Sequence, residues 1–137
     1  MIRTAAFAIA LLAAAPALAS DPASLALTFD TGASTGAVMV ALYDETTYGG
    51  GQPIRAARID VAAGEHSVTF EGLPAGDYGV KAFHDVNGNG RMDTNPFGMP
   101  TEPFAFSNNA VGNMGPASWD RARFSVSGAA AQTISIR

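Results

Sequence analysis

From Ser24 onward the apolar residues of this chain recur at every second position, in short runs separated by turn-forming residues. That pattern constrains the fold most, because a period of two turns one face of a strand toward a core and the other toward water. Leu25, Leu27 and Phe29 share one face of the first run, with Ala26, Thr28 and Asp30 on the other. After the turn residues Gly32 to Gly36, Val38, Val40 and Leu42 alternate with Met39, Ala41 and Tyr43. This run is apolar on both faces, as expected of a strand in the middle of a sheet. Ala57, Ile59 and Val61 continue the series, then His66, Val68 and Phe70, then Tyr78, Val80, Ala82 and His84. Ala122, Phe124 and Val126 form a sixth run, and Ile134 and Ile136 a last one. About seven short strands at this spacing, with no capped helical periodicity between them, predict a single all-β sandwich.

The connections differ in kind. Asp44 to Pro53 carries Gly49-Gly50-Gly51 without the Lys-Ser/Thr ending of a phosphate loop, and is expected to be a flexible connection. In Leu73-Pro74-Ala75-Gly76, Pro74 presets the second position of a type I turn. Tyr78, two residues later, sits where a tyrosine corner ties its hydroxyl to nearby backbone in immunoglobulin-like sandwiches. The longest connection runs from His84 to Asp120 and is rich in Asn, Gly, Pro and Asp. Loops beyond roughly 12–15 residues are uncommon in compact domains unless functional or disordered. Disordered segments are poor in aromatics. This one holds Phe97, Phe104, Phe106 and Trp119, so an ordered insertion folded back onto the domain is expected.

The first residues have a different character. Arg3, an apolar run from Ala5 to Ala15 and Ala17-Leu18-Ala19 have the form of a signal peptide over residues 1–19. The apolar run is shorter than the roughly 20 residues a bilayer span takes. Residues 20–137 then form one domain, exported to the periplasm or beyond, with 84–120 as its insertion. The chain has no cysteine, so its core must hold without disulfides. It carries 8 Lys and Arg against 12 Asp and Glu, and losing Arg3 makes the remainder more acidic still. Nucleic acid requires basic patches, and Lys81 with scattered arginines supplies none. Membrane association after removal of the leader is disfavoured for the same reason.

Phe70-x-Gly72-Leu73-Pro74-x-Gly76-x-Tyr78-x-Val80 resembles the strand–turn–strand signature of transthyretin-like and carboxypeptidase-regulatory-like domains. The resemblance implies a seven-stranded immunoglobulin/transthyretin-like β-sandwich, here with one long ordered insertion loop. A wider resemblance rests on the leader, Gly-Leu-Pro-x-Gly-x-Tyr, His84-Asp85-x-Asn87-Gly-Asn89-Gly-x-x-Asp93-Thr-Asn95 and Phe106-Ser-Asn-Asn-Ala110. Gly115-Pro116 and Phe124 complete it. The chain is similar on these grounds to a domain-of-unknown-function family of secreted bacterial proteins. That family brings no catalytic residues with it.

Asp85-x-Asn87-x-Asn89-Gly90 has the spacing of a calcium loop, in which alternate positions supply oxygen and glycine relieves the turn. Arg91 would contribute its backbone carbonyl at position seven, and Asp93 stands at nine. Position twelve is Pro96 where a helix–loop–helix site has Glu, and no helices flank the loop. Another group must complete the shell: Glu102 first, with the side chains of Asn95, Asn108 or Asn109 and backbone carbonyls as alternatives. A weak Ca2+ site, on the order of 10⁻⁴–10⁻³ M, is expected. The bland alternative is that Asn-Gly twice in succession is turn chemistry with both Asp residues solvated.

His84 falls on the inward phase of its strand, either as a base or second ligand sphere beside Asp85, or as a hydrogen-bonded residue at the core edge. Ser107, Asn108 and Asn109 could hold a glycan or a peptide backbone, with Trp119 as a stacking surface. They could equally satisfy the insertion's own backbone groups. Transthyretin-like sandwiches include a hydrolase using several His and Arg residues and a C-terminal Tyr-Arg-Gly-Ser. This chain has two His and ends Thr-Ile-Ser-Ile-Arg. Gly32-Ala33-Ser34-Thr35-Gly36 matches Gly-x-Ser-x-Gly in letters but leads into the strand pattern of Val38, Val40 and Leu42, not into the helix of a nucleophile elbow. A thiol nucleophile and a His- or Cys-rich zinc cluster are absent. The reading is therefore an exported, non-catalytic accessory or binding module that engages an envelope protein or glycan at the insertion. The alternative is a small periplasmic hydrolase centred on His84 and Asp85.

Overall fold

The computed structural model describes residues 22–137; the leader expected over 1–19 lies outside the described residues. Eight strands make two facing sheets: β1 (Ala23–Thr31), β2 (Ala37–Tyr43), β3 (Arg55–Asp60), β4 (Ser67–Leu73), β5 (Gly76–Asp85), β6 (Phe104–Phe106), β7 (Phe124–Val126) and β8 (Ala129–Ile136). One four-residue helix, α1 (Trp119–Ala122), precedes β7. The chain is all-β, as the alternation implies. Among the described residues no helix is long and apolar enough to cross a membrane.

The smaller sheet has the order β4-β1-β8, with β1 and β8 parallel from Ser24↔Ala129 to Thr31↔Ile136. The larger has the order β3-β2-β5-β6, and β7 also pairs with β5. Strand β2 is central, between β3 and β5, and its inner face, Val38, Val40 and Leu42, is apolar because it packs into the core between the sheets. The core is the interface of the two sheets. Leu25, Leu27 and Phe29 from β1 and Ile134 and Ile136 from β8 meet Val38, Val40 and Leu42 from β2 and Val80 from β5. Full burial of each such side chain contributes about 1.5–3 kcal/mol, which is how the sandwich holds without a disulfide. Tyr78 closes the β4–β5 corner, its hydroxyl donating to the Pro74 carbonyl at 2.5 Å.

The structure departs from the sequence reading at four places. An eighth strand, β6, lies inside the insertion, where three residues are too few to show a period. Ala122 belongs to α1 rather than to the following strand, because strand pairing begins only at Phe124. Strand β8 starts at Ala129, in an Ala-rich run without alternation. Finally, Asp44 to Pro53 is not a plain flexible connection. Asp44 Oδ1 accepts from the Thr46 hydroxyl and from the Thr47 backbone N–H and hydroxyl, closing a turn that buries Tyr48.

Candidate functional site

The insertion leaves the sandwich at the end of β5, where the β1–β2 turn packs against it. Gly36, at φ +68°, lies so close to the Asp85 carbonyl that a β-carbon there would stand 1.9 Å from the oxygen. His84 is fully buried; its Nε2 lies 2.7 Å from the Thr35 carbonyl and so donates to it. Its Nδ1 has no partner. Through the Nε2 bond the imidazole ties β5 to the β1–β2 turn.

Asp85 is buried too, with backbone N–H groups as its partners. Oδ1 accepts from Asn89 at 3.2 Å and Oδ2 from Gly90 at 2.7 Å. Gly88 and Gly90 take positive φ, so the chain winds around the Asp85 carboxylate. Inside the turn, the Asn87 and Asn89 oxygens accept from Asn89 N–H at 3.2 Å and Arg91 N–H at 3.0 Å. Their amide nitrogens both donate to Asp93, at 2.5 and 2.7 Å. Those two bonds, Asn87 first, hold the Asp93 carboxyl below the usual aspartate value.

A small hairpin carries Pro96, the proline at position twelve. Thr94 bridges Pro100, and the Asn95 side chain accepts from Phe97 and Met99 N–H, which folds the chain back on itself. Glu102 thereby arrives beside the loop, where Oε2 accepts from Val86 N–H at 2.6 Å and Oε1 from Asp93 N–H at 3.1 Å. One carboxylate thus clasps both ends of Val86–Asp93. Of the alternatives for the missing ligand, Asn95 is committed to the hairpin, and Asn108 and Asn109 lie elsewhere. The donor set of Asp85, Asn87, Asn89, Asp93, Glu102 and the Arg91 carbonyl is all oxygen, which suits a hard cation. Among the described residues no three His, Cys, Asp or Glu side chains converge as a ready-made metal cluster. No salt bridge among the described residues reaches Asp85, Asp93 or Glu102 either.

Ser107, Asn108 and Asn109 are joined to the insertion's surroundings. Buried Ser107 accepts from Val80 N–H at 2.9 Å and donates to the Ala122 carbonyl at 2.5 Å. Asn108 donates to the carbonyls of Arg121 and Arg123 and accepts from Gln132; Asn109 accepts from Ser135 N–H. Both asparagines take positive φ, which asparagine tolerates better than most residues. Trp119 packs its ring 5.5 Å from that of Tyr48.

A second feature went unmarked in the sequence reading: the outer face of the larger sheet. Cross-strand pairing sets Ala56, Ala41, Lys81 and Phe106 in one row and Met39, Phe83 and Phe104 in the next. With Met92 and Pro100 from the insertion they line an apolar groove of about 610 Å³. Lys81, the chain's one lysine, stands in it with Nζ 4.8 Å and 4.4 Å from the ring centres of Tyr43 and Tyr48. It donates to the Tyr48 carbonyl at 2.7 Å, and burial lowers its pKa. The signal for this groove was present in Met39, Ala41 and Tyr43, whose apolar character a central position alone does not require.

A family model described as "Uncharacterized protein conserved in bacteria (DUF2141)" matches residues 30–135. No curated protein matches the chain. No solved structure matches it.

Proposed function

We propose that this chain, which belongs to the DUF2141 family of bacterial proteins, acts as an exported, non-catalytic binding module whose insertion takes up calcium. One observation supports the cation: Asp85, Asp93 and Glu102 all hydrogen-bond within one loop, without converging as a cluster, and no salt bridge among the described residues reaches any of them. Asp85 and Glu102 are also buried. Buried carboxylates without a cation are costly, even when backbone N–H groups satisfy their lone pairs. A divalent ion relieves that charge.

Asp85, Asn87, Asn89, Asp93, Glu102 and the Arg91 carbonyl would hold the ion. The amides of Asn87 and Asn89 now donate to Asp93, so they would have to turn their oxygens inward. That rearrangement suits a weak site, near 10⁻⁴–10⁻³ M in order of magnitude. With calcium at ~1 mM and a dissociation constant near ~0.1 mM, binding adds about 1.4 kcal/mol of stability. Such an ion orders the insertion; it does not make the fold. The non-catalytic part of the reading rests on His84, whose ring is buried and bonded to Thr35 rather than open to a substrate. The module would then hold a ligand, an envelope protein or a glycan on the side of the ordered insertion, in the periplasm.

Calorimetric titration of calcium into the chelator-treated protein tests this. Saturable heat that Asp85→Asn abolishes, with a rise in melting temperature, is the expected result. No heat and no change in melting temperature up to about 10 mM calcium, well above the range of extracellular sites, would overturn it.

A further inference from the structure

From the groove on the outer face of the larger sheet, we infer that the ligand of this module is an anionic amphiphile, an apolar chain ending in a carboxylate. The inference rests on the binding-module reading and names its ligand; Met92 of the loop lines the groove, but none of the proposed calcium ligands does.

The floor of the groove is set by register. Ala41 faces Ala56 on one side and Lys81 on the other, so two small side chains leave a channel along the sheet. Met39 and Phe83 extend the floor, and Phe104, 47% exposed, forms a wall. Its volume, about 610 Å³, lies within the usual range for small-molecule sites. Most of a sheet's outer face is polar when water covers it; here the two adjacent cross-strand rows are apolar apart from Lys81 and, at the β3 edge beside Met39, Arg58.

Lys81 decides the ligand's head group. In an acidic protein its one lysine is placed among aromatic rings and methyl groups, and no salt bridge among the described residues neutralises it. Glu45 lines the adjoining hollow beside Trp119 without reaching ion-pair distance. The Tyr48 carbonyl takes one of the three ammonium protons, leaving two for a ligand. A carboxylate there restores the charge balance that partial burial disturbs, while an alkyl chain lies over Ala41 and Ala56. A polar glycan gains little from such a floor, and a cation is repelled at its end.

The test compares three ten-carbon probes on the purified protein: decanoate, decanol and decyltrimethylammonium. Trp119, the chain's one tryptophan and a neighbour of Tyr48, reports binding by fluorescence, and calorimetry checks it. Decanoate should bind saturably and at least about tenfold more tightly than either other probe. Lys81→Met should erase that preference while Lys81→Arg retains it, and Ala41→Phe should weaken all uptake. No saturable decanoate binding below millimolar concentration, or equal binding of the three probes by the unaltered protein, overturns the inference. A dimer in solution that Ala41→Glu dissociates, with no decanoate uptake, assigns the face to a second copy and also overturns it. Calcium titration of the same sample reads the loop separately. Asp85-dependent calcium heat without decanoate binding removes the groove's ligand and leaves the cation loop standing.

Discussion

The side chain of Ser107 completes the edge of β5 at Val80. β7 pairs with Gly76 to Tyr78 and β6 with Lys81 to Phe83, so the ladder has a gap between them. The Val80 N–H falls in that gap, and the Ser107 hydroxyl accepts it at 2.9 Å while donating to the Ala122 carbonyl at 2.5 Å. One buried hydroxyl therefore joins β5 to both ends of the insertion's second half. Ser107→Ala strands a donor and an acceptor away from water, at a cost of roughly 1–3 kcal/mol each. A loss of about 2–4 kcal/mol in urea unfolding is expected, with little change in slope. A loss below about 0.5 kcal/mol, the range of ordinary surface substitutions, would refute the bridging role.

Gly36→Ala tests the seam between the β1–β2 turn and the start of the insertion. The new methyl would meet the Asp85 carbonyl at 1.9 Å, and the backbone φ of +68° is already unfavourable for alanine. The left-handed conformation alone costs about 1–2 kcal/mol. Backbone cannot swing aside as a flexible side chain can, so the clash adds to that. Expected are a lowered melting temperature and weaker calcium uptake, because Asp85 must shift. Gly64→Ala is the control: φ is +89° there, but a β-carbon would meet nothing within 4 Å. Equal losses at both positions would show that strain, not the Asp85 contact, sets the cost.

The alternation made the sandwich legible most clearly in β1, where Ala26, Thr28 and Asp30 separate the inward residues, while β2, apolar on both faces, was marked off by its flanking turn residues. The same rule was silent where pairing is long-range or short. Nothing in Ala129-Ala130-Ala131 marks the parallel ladder with β1, and three residues of β6 cannot carry a period. The calcium-like spacing was legible from Asp85 to Asp93, and the defect at Pro96 was visible too. That a hairpin would return Glu102 to Val86 and Asp93 depended on the Asn95 turn, a local device with no wider pattern. The groove around Lys81 was harder still, since it exists only once register sets Ala56, Ala41 and Lys81 side by side.

Acid should weaken the loop through Asp93. Amide donors on Asn87 and Asn89 lower its pKa below the ordinary aspartate value, so its contribution is fully present above that unfolded value. The contribution is lost as pH falls through the folded value, because the unfolded chain takes up the proton first. Carboxyl carbon shifts in an NMR titration would locate the midpoint. Asn87→Ala should move it upward toward the ordinary value, while Asp44, held down by Thr46 and Thr47, should not respond. An unmoved Asp93 midpoint would mean that the Asn87 bond is absent in solution.

Glu102 offers a way to separate clasping from ligation. Its two oxygens accept from Val86 and Asp93 N–H even with no ion considered, so part of its role is to close the loop. Hydrogen bonds to a charged group contribute about 1.5–3 kcal/mol each, but removing the side chain also relieves repulsion from Asp85 and Asp93. Two lost bonds outweigh a repulsion that nearby solvent screens, so Glu102→Ala should destabilise the calcium-free protein by about 1–3 kcal/mol. Amide exchange should quicken at Val86 and Asp93 and stay unchanged at Leu27 or Val40 in the core. If Glu102 only clasps, calcium should restore the variant's melting temperature by the same increment as in the unaltered protein. If it also ligates, that increment should shrink. Unchanged exchange at both amides would remove Glu102 from the loop altogether, leaving the turn around Asp85 to hold the insertion alone.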